Sequence, residues 1–326
     1  MGNPGLPCID IGPLCGHAPE AQRTAVTHAL LDALSGVGFG VLVGHGVPQD
    51  VVAGMRAAVA AVFAEPRMHY ATLQVQKTNY RGYVPLGYFT PNSGVGAADH
   101  YEAWKLHHET NVVDPIRQAC GLYGPNRWPP IAFDVRAAVR AYWAEMDRVN
   151  SSVLRALCEG LGLDAAKVLG MLEHPLTNMT LLNYPGGMPQ GTWGIHPHKD
   201  FNFLTFLAHD PVGGLEVRSL DGSWIDARCP QDGLVMNVGD MLELLTGGRL
   251  VSTPHRVVNR SGMQRQSFPY FSVPRYDVLV QPLLEPLSHF TRAPLQSGEA
   301  SANIWTSNWP DEKNALPAQD LGDYAP

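Results

Sequence analysis

The chain has little charge, few cysteines and no long apolar run. Of its 326 residues only 16% are Asp, Glu, Lys or Arg, and the formal net charge is −7. No basic block is available to neutralise phosphates, so nucleic acid is not an expected partner. No apolar stretch approaches the roughly 20 residues of a membrane span. The opening Met1–Ile11 lacks a charged segment followed by an apolar one, so it does not read as a secretory signal, and no membrane partner is expected. The five cysteines (Cys8, Cys15, Cys120, Cys158, Cys229) are odd in number and scattered, without a Cys-x-x-Cys. They read as reduced thiols of a cytoplasmic protein. Internal repeats and low-complexity tracts are also missing.

What is present points to many turns. Gly (33) and Pro (27) are plentiful, and 45% of residues are hydrophobic, enough at this length for a large core. The first half is helical in pattern. Ala25, Ala29, Leu30, Ala33 and Leu34 predict a helix within 20–34, and Asp50 is placed to cap another that runs to about Phe63. Strand-like runs lie at Leu6–Ile11, Gly38–Val43 and Asp99–Glu109. Val135, Val139, Tyr142, Met146, Val149, Val153 and Leu157 predict one long helix over 133–161, stopped by Gly160 and Gly162, and a short helix follows at 165–172. From Leu176 the rhythm changes to short runs between Gly, Pro and Asp: 179–184, 204–208, 214–218, 233–238, 241–245, 256–259 and 266–273. Short strands with regular turns suggest a barrel or sandwich. The expected class is α+β, with a double-stranded β-helix (a cupin-like jelly roll) backed by N-terminal helices. Residues 1–326 read as one integrated domain: a helix-rich part to 175, a catalytic core over 176–285, and a tail over 286–326 that is a candidate lid.

The chemistry concentrates between Trp193 and Ser267. His198 and Asp200 stand two apart, which in a strand puts both side chains on one face. His255 follows 57 positions after His198, a gap that only a fold can close. Two imidazoles and one carboxylate form the facial triad that suits non-haem Fe(II) and leaves open positions. Around them, in order, stand Leu204-Thr205, Gly214-Leu-Glu-Val217 with Trp224, Asn237-Val-Gly-Asp240, Thr246-Gly-Gly-Arg249, His255-Arg-Val257 and Arg265-x-Ser267. That series resembles the isopenicillin-N-synthase-like family of Fe(II)/2-oxoglutarate dioxygenases, over roughly residues 6–285. Gly38-Phe…His45-Gly-Val-Pro48, Arg81-Gly-Tyr83 and Gly124-Pro-Asn-x-Trp-Pro129 are similar to that family as well. His196 is also two from His198, and the Leu-Thr four residues after Asp200 fixes the register on His198.

The resemblance implies a metal held by His198, Asp200 and His255, with 2-oxoglutarate as cosubstrate and O₂ as oxidant. Its Arg-x-Ser implies that Arg265 and Ser267 grip the far carboxylate, a task suited to a guanidinium fork. Tyr184 is a third partner, although Leu182 stands where the family has Asn. The activity implied is oxidation of a small metabolite (hydroxylation, desaturation or ring formation) with release of succinate and CO₂. Tyr83, Lys105, Thr180, Asn202, Phe203 and Phe271 are the residues expected along its cavity. Lys105 could pair with an acidic substrate, although a solvated lysine is the commoner outcome. His196, Asn202 and Arg256 are candidates to orient the ligands. His45 reads as structural, and the adjacent His107 and His108 as surface or cavity residues. Alternatives are an iron oxidase that needs no 2-oxoglutarate, an ethylene-forming-type enzyme, a zinc hydrolase, and a cupin-like binder without turnover.

Overall fold

The computed structural model describes residues 5–89 and 98–309. In chain order its first strands are β1 (Cys8–Asp10), β2 (Phe39–Val43), β3 (Gly82–Val84), β4 (Glu102–His107), β5 (Asn178–Tyr184) and β6 (Thr192–His198). Then come β7 (Leu204–Ala208), β8 (Leu215–Arg218), β9 (Trp224–Asp226), β10 (Leu234–Val238), β11 (His255–Asn259), β12 (Arg265–Ser267) and β13 (Tyr270–Phe271). The larger sheet runs β1-β2-β10-β7-β13-β5-β4-β3, with β12 also paired to β5. The smaller runs β6-β11-β8-β9. A cavity lined by Thr180 and Leu182 from the larger sheet and by Ile195 and His198 from the smaller lies between them. This is the expected jelly roll, with helices behind it.

Strand alternation decides which residues meet that cavity. In β5, Met179 and Leu181 pack in the helix-side core, while Leu182 and Tyr184 belong to the apolar cluster between the sheets. The same two-residue period sends Trp104 and Leu106 of β4, Leu204 and Phe206 of β7, and Leu234 and Met236 of β10 to the helices. It leaves Lys105, Thr180, Thr205 and Asn237 for the inner face.

The helix-side core is built on the long helix Val135–Leu161, whose Val139, Tyr142, Met146, Val149 and Val153 are all buried. The Asp134 carboxylate accepts from the Ala137 backbone N–H (3.0 Å) and caps its start. Gly162, at φ 69°, ends it in the left-handed conformation glycine tolerates. Gly160 does not stop the helix. It lies inside it, and a Cβ there would stand 2.6 Å from Thr27 Cγ2 and 2.7 Å from Leu31 Cδ1 of the helix Glu20–Gly36. The glycine sets how closely the two helices approach.

Three further expectations are corrected. Asp50 does not cap its helix: Gln49–Ala64 begins after Pro48, and Asp50 sits in the first turn, where its charge still favours the helix dipole. The run 241–245 is not a strand. It forms most of the helix Asp240–Leu245, buried on every side, and an apolar run of that length does not distinguish the two by periodicity. The run 266–273 is two strands, β12 and β13, separated at Phe268 and Pro269. Among the described residues no helix is long and apolar enough to cross a membrane.

Gly160→Val should lower stability by about 1–3 kcal/mol through overpacking. Gly54→Ala, in a helix with nothing within 4 Å of the added carbon, should raise it by up to about 1 kcal/mol. Thermal unfolding of the two variants checks the contrast.

Candidate metal centre and cavity

Strand pairing closes the gap between the two histidines. In the antiparallel ladder of β6 and β11, His255 lies directly opposite His198, and their ring centroids are 4.3 Å apart. Asp200 arrives differently from the expectation, because β6 ends at His198 and the chain then leaves the strand. The carboxylate enters from the connection to β7, held by the Asp240 backbone N–H, which donates to the Asp200 carbonyl (2.8 Å). Asp200 Oδ1 stands 3.8 Å from His198 Nε2 and 3.7 Å from His255 Nε2. One donor atom from each of the three falls within 4.8 Å of the others.

Each group is fixed from behind. The Nδ1–H of His198 donates to the His196 carbonyl (2.8 Å), and that of His255 to the Thr253 carbonyl (3.2 Å), so both turn Nε2 inward. Thr205 Oγ1–H (2.6 Å) and Asn237 Nδ2–H (2.8 Å) donate to Asp200 Oδ2. Asn202 Nδ2–H in turn donates to Thr205 Oγ1 (2.9 Å), which directs the hydroxyl proton at Asp200. Burial would raise the Asp200 carboxyl, but the imidazoles of His255 and His198 and these two donors outweigh it and hold it below its ordinary value. Burial and the neighbouring His198 push His255 down to about 4, against the pull of Asp200, so it is neutral with a free lone pair. Two imidazole nitrogens and one carboxylate oxygen form a donor set that Fe(II) accepts.

The cavity beside the triad holds about 230 Å³. Of the residues expected to line it, Lys105, Thr180, Asn202 and Phe271 do. Tyr83 does not. Its hydroxyl donates to Glu102 Oε2 (2.7 Å) within a buried cluster where Arg67 and Asn183 hold the same carboxylate. Phe203 does not either: it is fully buried in the helix-side core, and its N–H bonds to the Ser272 carbonyl (2.7 Å). His107 is neither at the surface nor on the cavity, being buried with Nε2 on the Tyr80 carbonyl (2.7 Å). Arg256 reaches no ligand. It is sandwiched between Trp224 (3.8 Å) and Trp193 (5.0 Å) and donates to Glu216. His45 is bonded to the Asp232 carbonyl and the Val47 N–H, a structural arrangement. His196 is kept from the triad by Asp99, whose Oδ1 takes its Nδ1–H (2.7 Å).

One wall of the cavity comes from the tail. The helix Ser297–Ser307 contributes Ser301, Ile304 and Trp305, and Asn308 follows. Trp305 stacks on Tyr80 (5.5 Å, 3° between planes), and Asn308 Nδ2–H donates to the Tyr80 hydroxyl (2.7 Å). This is the described part of the candidate lid; residues 310–326 of it lie outside the described residues. The tail was expected as a candidate lid, but its contact with Tyr80, across more than 200 positions, has no local mark in the sequence.

Arg265 and Tyr184 face each other across the β12–β5 ladder, and Ser267 sits two further on. The Arg265 guanidinium lies 4.8 Å from the Tyr184 ring, and its Nη1 donates to Ser267 Oγ (3.3 Å). The three are together; Arg265 and Tyr184 line a second, small pocket of about 10 Å³ bounded by Gly194 and Val257, and none of the three is on the lining of the larger cavity. The sequence reading missed Asp210, on the loop after β7, whose Oδ2 forms an ion pair with Arg265 Nε. Thr205 and Asn237 stood inside the ordered motifs without an assigned role.

Comparison with known proteins agrees with this geometry. The family described as the 2OG-Fe(II) oxygenase superfamily matches residues 176–274, and the N-terminal region described for a non-haem dioxygenase in morphine synthesis matches residues 6–131. The 2-oxoglutarate-dependent dioxygenase thnC of Trichoderma harzianum is 31% identical over 270 residues, which is 80% of this chain and 82% of that protein. The chain belongs to the 2OG-Fe(II) oxygenase superfamily. Validamycin A dioxygenase of Streptomyces hygroscopicus subsp. limoneus is 30% identical, covering 93% of this chain and 84% of its own length. The fold is shared with a full-length Neurospora crassa protein crystallised with alpha-KG and thymine (TM-score 0.81, 21% identity, 95% and 99% of the two chains). As a member of the superfamily this protein is an Fe(II)- and 2-oxoglutarate-dependent oxygenase.

Thr205→Ala and Asn237→Ala should each weaken Fe(II) binding by roughly 10–100-fold, the usual effect of removing a partner behind a ligand. Titration of the apo protein with Fe(II) under anaerobic conditions reads it. Unchanged affinity in both variants would show that Asp200 is oriented by other means.

Proposed function

We propose that His198, Asp200 and His255 hold Fe(II), that Arg265, Ser267 and Tyr184 hold the far carboxylate of 2-oxoglutarate, and that a small molecule in the cavity is oxidised as succinate and CO₂ leave. The observation that carries this is the division of Asp200, with Oδ2 taken by Thr205 and Asn237 and Oδ1 turned toward both Nε2 atoms. A carboxylate held for structure alone has no reason to face two imidazole Nε2 atoms.

Bound Fe(II), with 2-oxoglutarate and O₂, supplies the oxidising chemistry, and the chain supplies placement and dryness. Three protein donors leave the remaining positions open. Arg265 carries a fixed charge with a planar fork. Asp210 forms an ion pair with the guanidinium and Ser267 accepts from Nη1, which together hold it in place before a ligand arrives. Phe271, Ile304 and Trp305 give the cavity apolar surface that keeps water from the reacting atoms. A volume near 230 Å³ suits a small metabolite and excludes a folded macromolecule. The five free thiols and a centre that needs Fe(II) support the reducing cytoplasm as its location.

Succinate should form only when Fe(II) and 2-oxoglutarate are both supplied. Arg265→Lys keeps the charge and loses the fork, so KM for 2-oxoglutarate should rise roughly tenfold or more, on the order of 1.4 kcal/mol, with Fe(II) affinity unchanged. Substrate oxidation without added 2-oxoglutarate would instead support the oxidase alternative.

A further inference from the structure

We propose that the molecule oxidised here is a small carboxylic acid, its carboxylate paired with Lys105 and its apolar body lying on the aromatic wall made by Tyr80, Phe271 and Trp305. This rests on the oxygenase reading above and deepens it. Lys105 is the inward residue of β4, directly opposite Thr180 of β5. Its Nζ–H donates to Thr180 Oγ1 (3.1 Å), and the ammonium stands 5.3 Å over the Tyr80 ring. An ammonium has three N–H donors; one hydroxyl and one ring face leave the rest directed into the cavity.

No carboxylate among the described residues forms an ion pair with Lys105. Two acidic groups share the lining, and both are committed. Asp99 Oδ1 accepts from the His196 backbone N–H (2.9 Å) and from its ring. Asp200 is the charge Lys105 feels, and it belongs to the triad. The other titratable neighbours do not compensate. Lys199 and His198 carry no negative charge, Tyr80 and Tyr101 are pushed upward by burial and stay neutral, and His107 is pushed well down by burial and the charge of Arg81. A cation set in an apolar cavity without a counter-ion is costly, and a ligand anion removes that cost. A single ammonium with one hydroxyl, and Asn178 on the same lining, matches the two oxygens and single charge of a carboxylate better than a phosphate dianion.

Burial lowers Lys105 to about 8, so it is largely protonated at pH 7 and loses its charge above pH 8. Acid binding should therefore weaken about tenfold between pH 7 and pH 9, and binding of the neutral amide should not change.

The test uses the full chain loaded with redox-silent Mn(II) and 2-oxoglutarate, with calorimetric binding of three matched pairs: benzoate and benzamide, phenylacetate and phenylacetamide, hydrocinnamate and hydrocinnamamide. At least one acid should bind tenfold or more tightly than its amide. Lys105→Met and Lys105→Gln, both checked for an unchanged melting temperature, should abolish that preference and leave 2-oxoglutarate affinity as it was; Lys105→Arg should keep part of it. The proposal is overturned if no acid is favoured over its amide, absence of all binding included, or if the preference survives either neutral variant. It is also overturned if both neutral variants weaken 2-oxoglutarate tenfold, because Lys105 would then serve the cosubstrate. Failure of the wild type to bind Mn(II) and 2-oxoglutarate, read in the same instrument before any acid is added, would count against the oxygenase reading itself.

Discussion

The arrangement depends on how one buried carboxylate is shared. Asp200 is buried as an anion between the sheets, and only one of its oxygens has hydrogen-bond donors there. Thr205 and Asn237 hold that oxygen, and the other is left facing the Nε2 atoms of His198 and His255, where a bound cation would meet the charge. Those two donors come from adjacent, paired strands, with Thr205 of β7 opposite Asn237 of β10. The larger sheet therefore fixes the carboxylate, the smaller sheet fixes the histidines through the His198–His255 rung, and the centre exists only where the sheets face each other.

The alternation of each strand carries this outward. Residues of one parity pack against the long helix and its neighbours, and those of the other parity build the site. Lys105, Thr180, Thr205 and Asn237 are polar in strands whose opposite faces are apolar, so the sequence places chemistry and core on opposite sides of one layer. The tail helix gives the cavity one wall, with Trp305 stacked on Tyr80.

Much of this was legible, for uneven reasons. The three triad residues could be singled out because their types, spacing and following Leu-Thr agree, yet the strand-face reason was incomplete: Asp200 is beyond the end of β6 and not on the strand face of His198. Arg265, Ser267 and Tyr184 were identified and do meet, but Asp210 was not, because nothing local marks a loop aspartate as the partner of a distant guanidinium. Tyr83 and Phe203 were misplaced because nearness to a motif does not say which face a residue occupies, and burial took both. Arg256 follows His255 in sequence, but as its strand neighbour it points away, to Glu216 and two tryptophans. Short apolar runs such as 241–245 are ambiguous in kind, and contacts from the tail to Tyr80 leave no local trace.

The most direct test of the shared-carboxylate centre is the visible absorption of the protein with Fe(II) and 2-oxoglutarate under anaerobic conditions. The expected result is a metal-to-ligand charge-transfer band in the wild type that is lost in His255→Ala. A wild type without the band, or a band of equal strength after that substitution, would contradict the account.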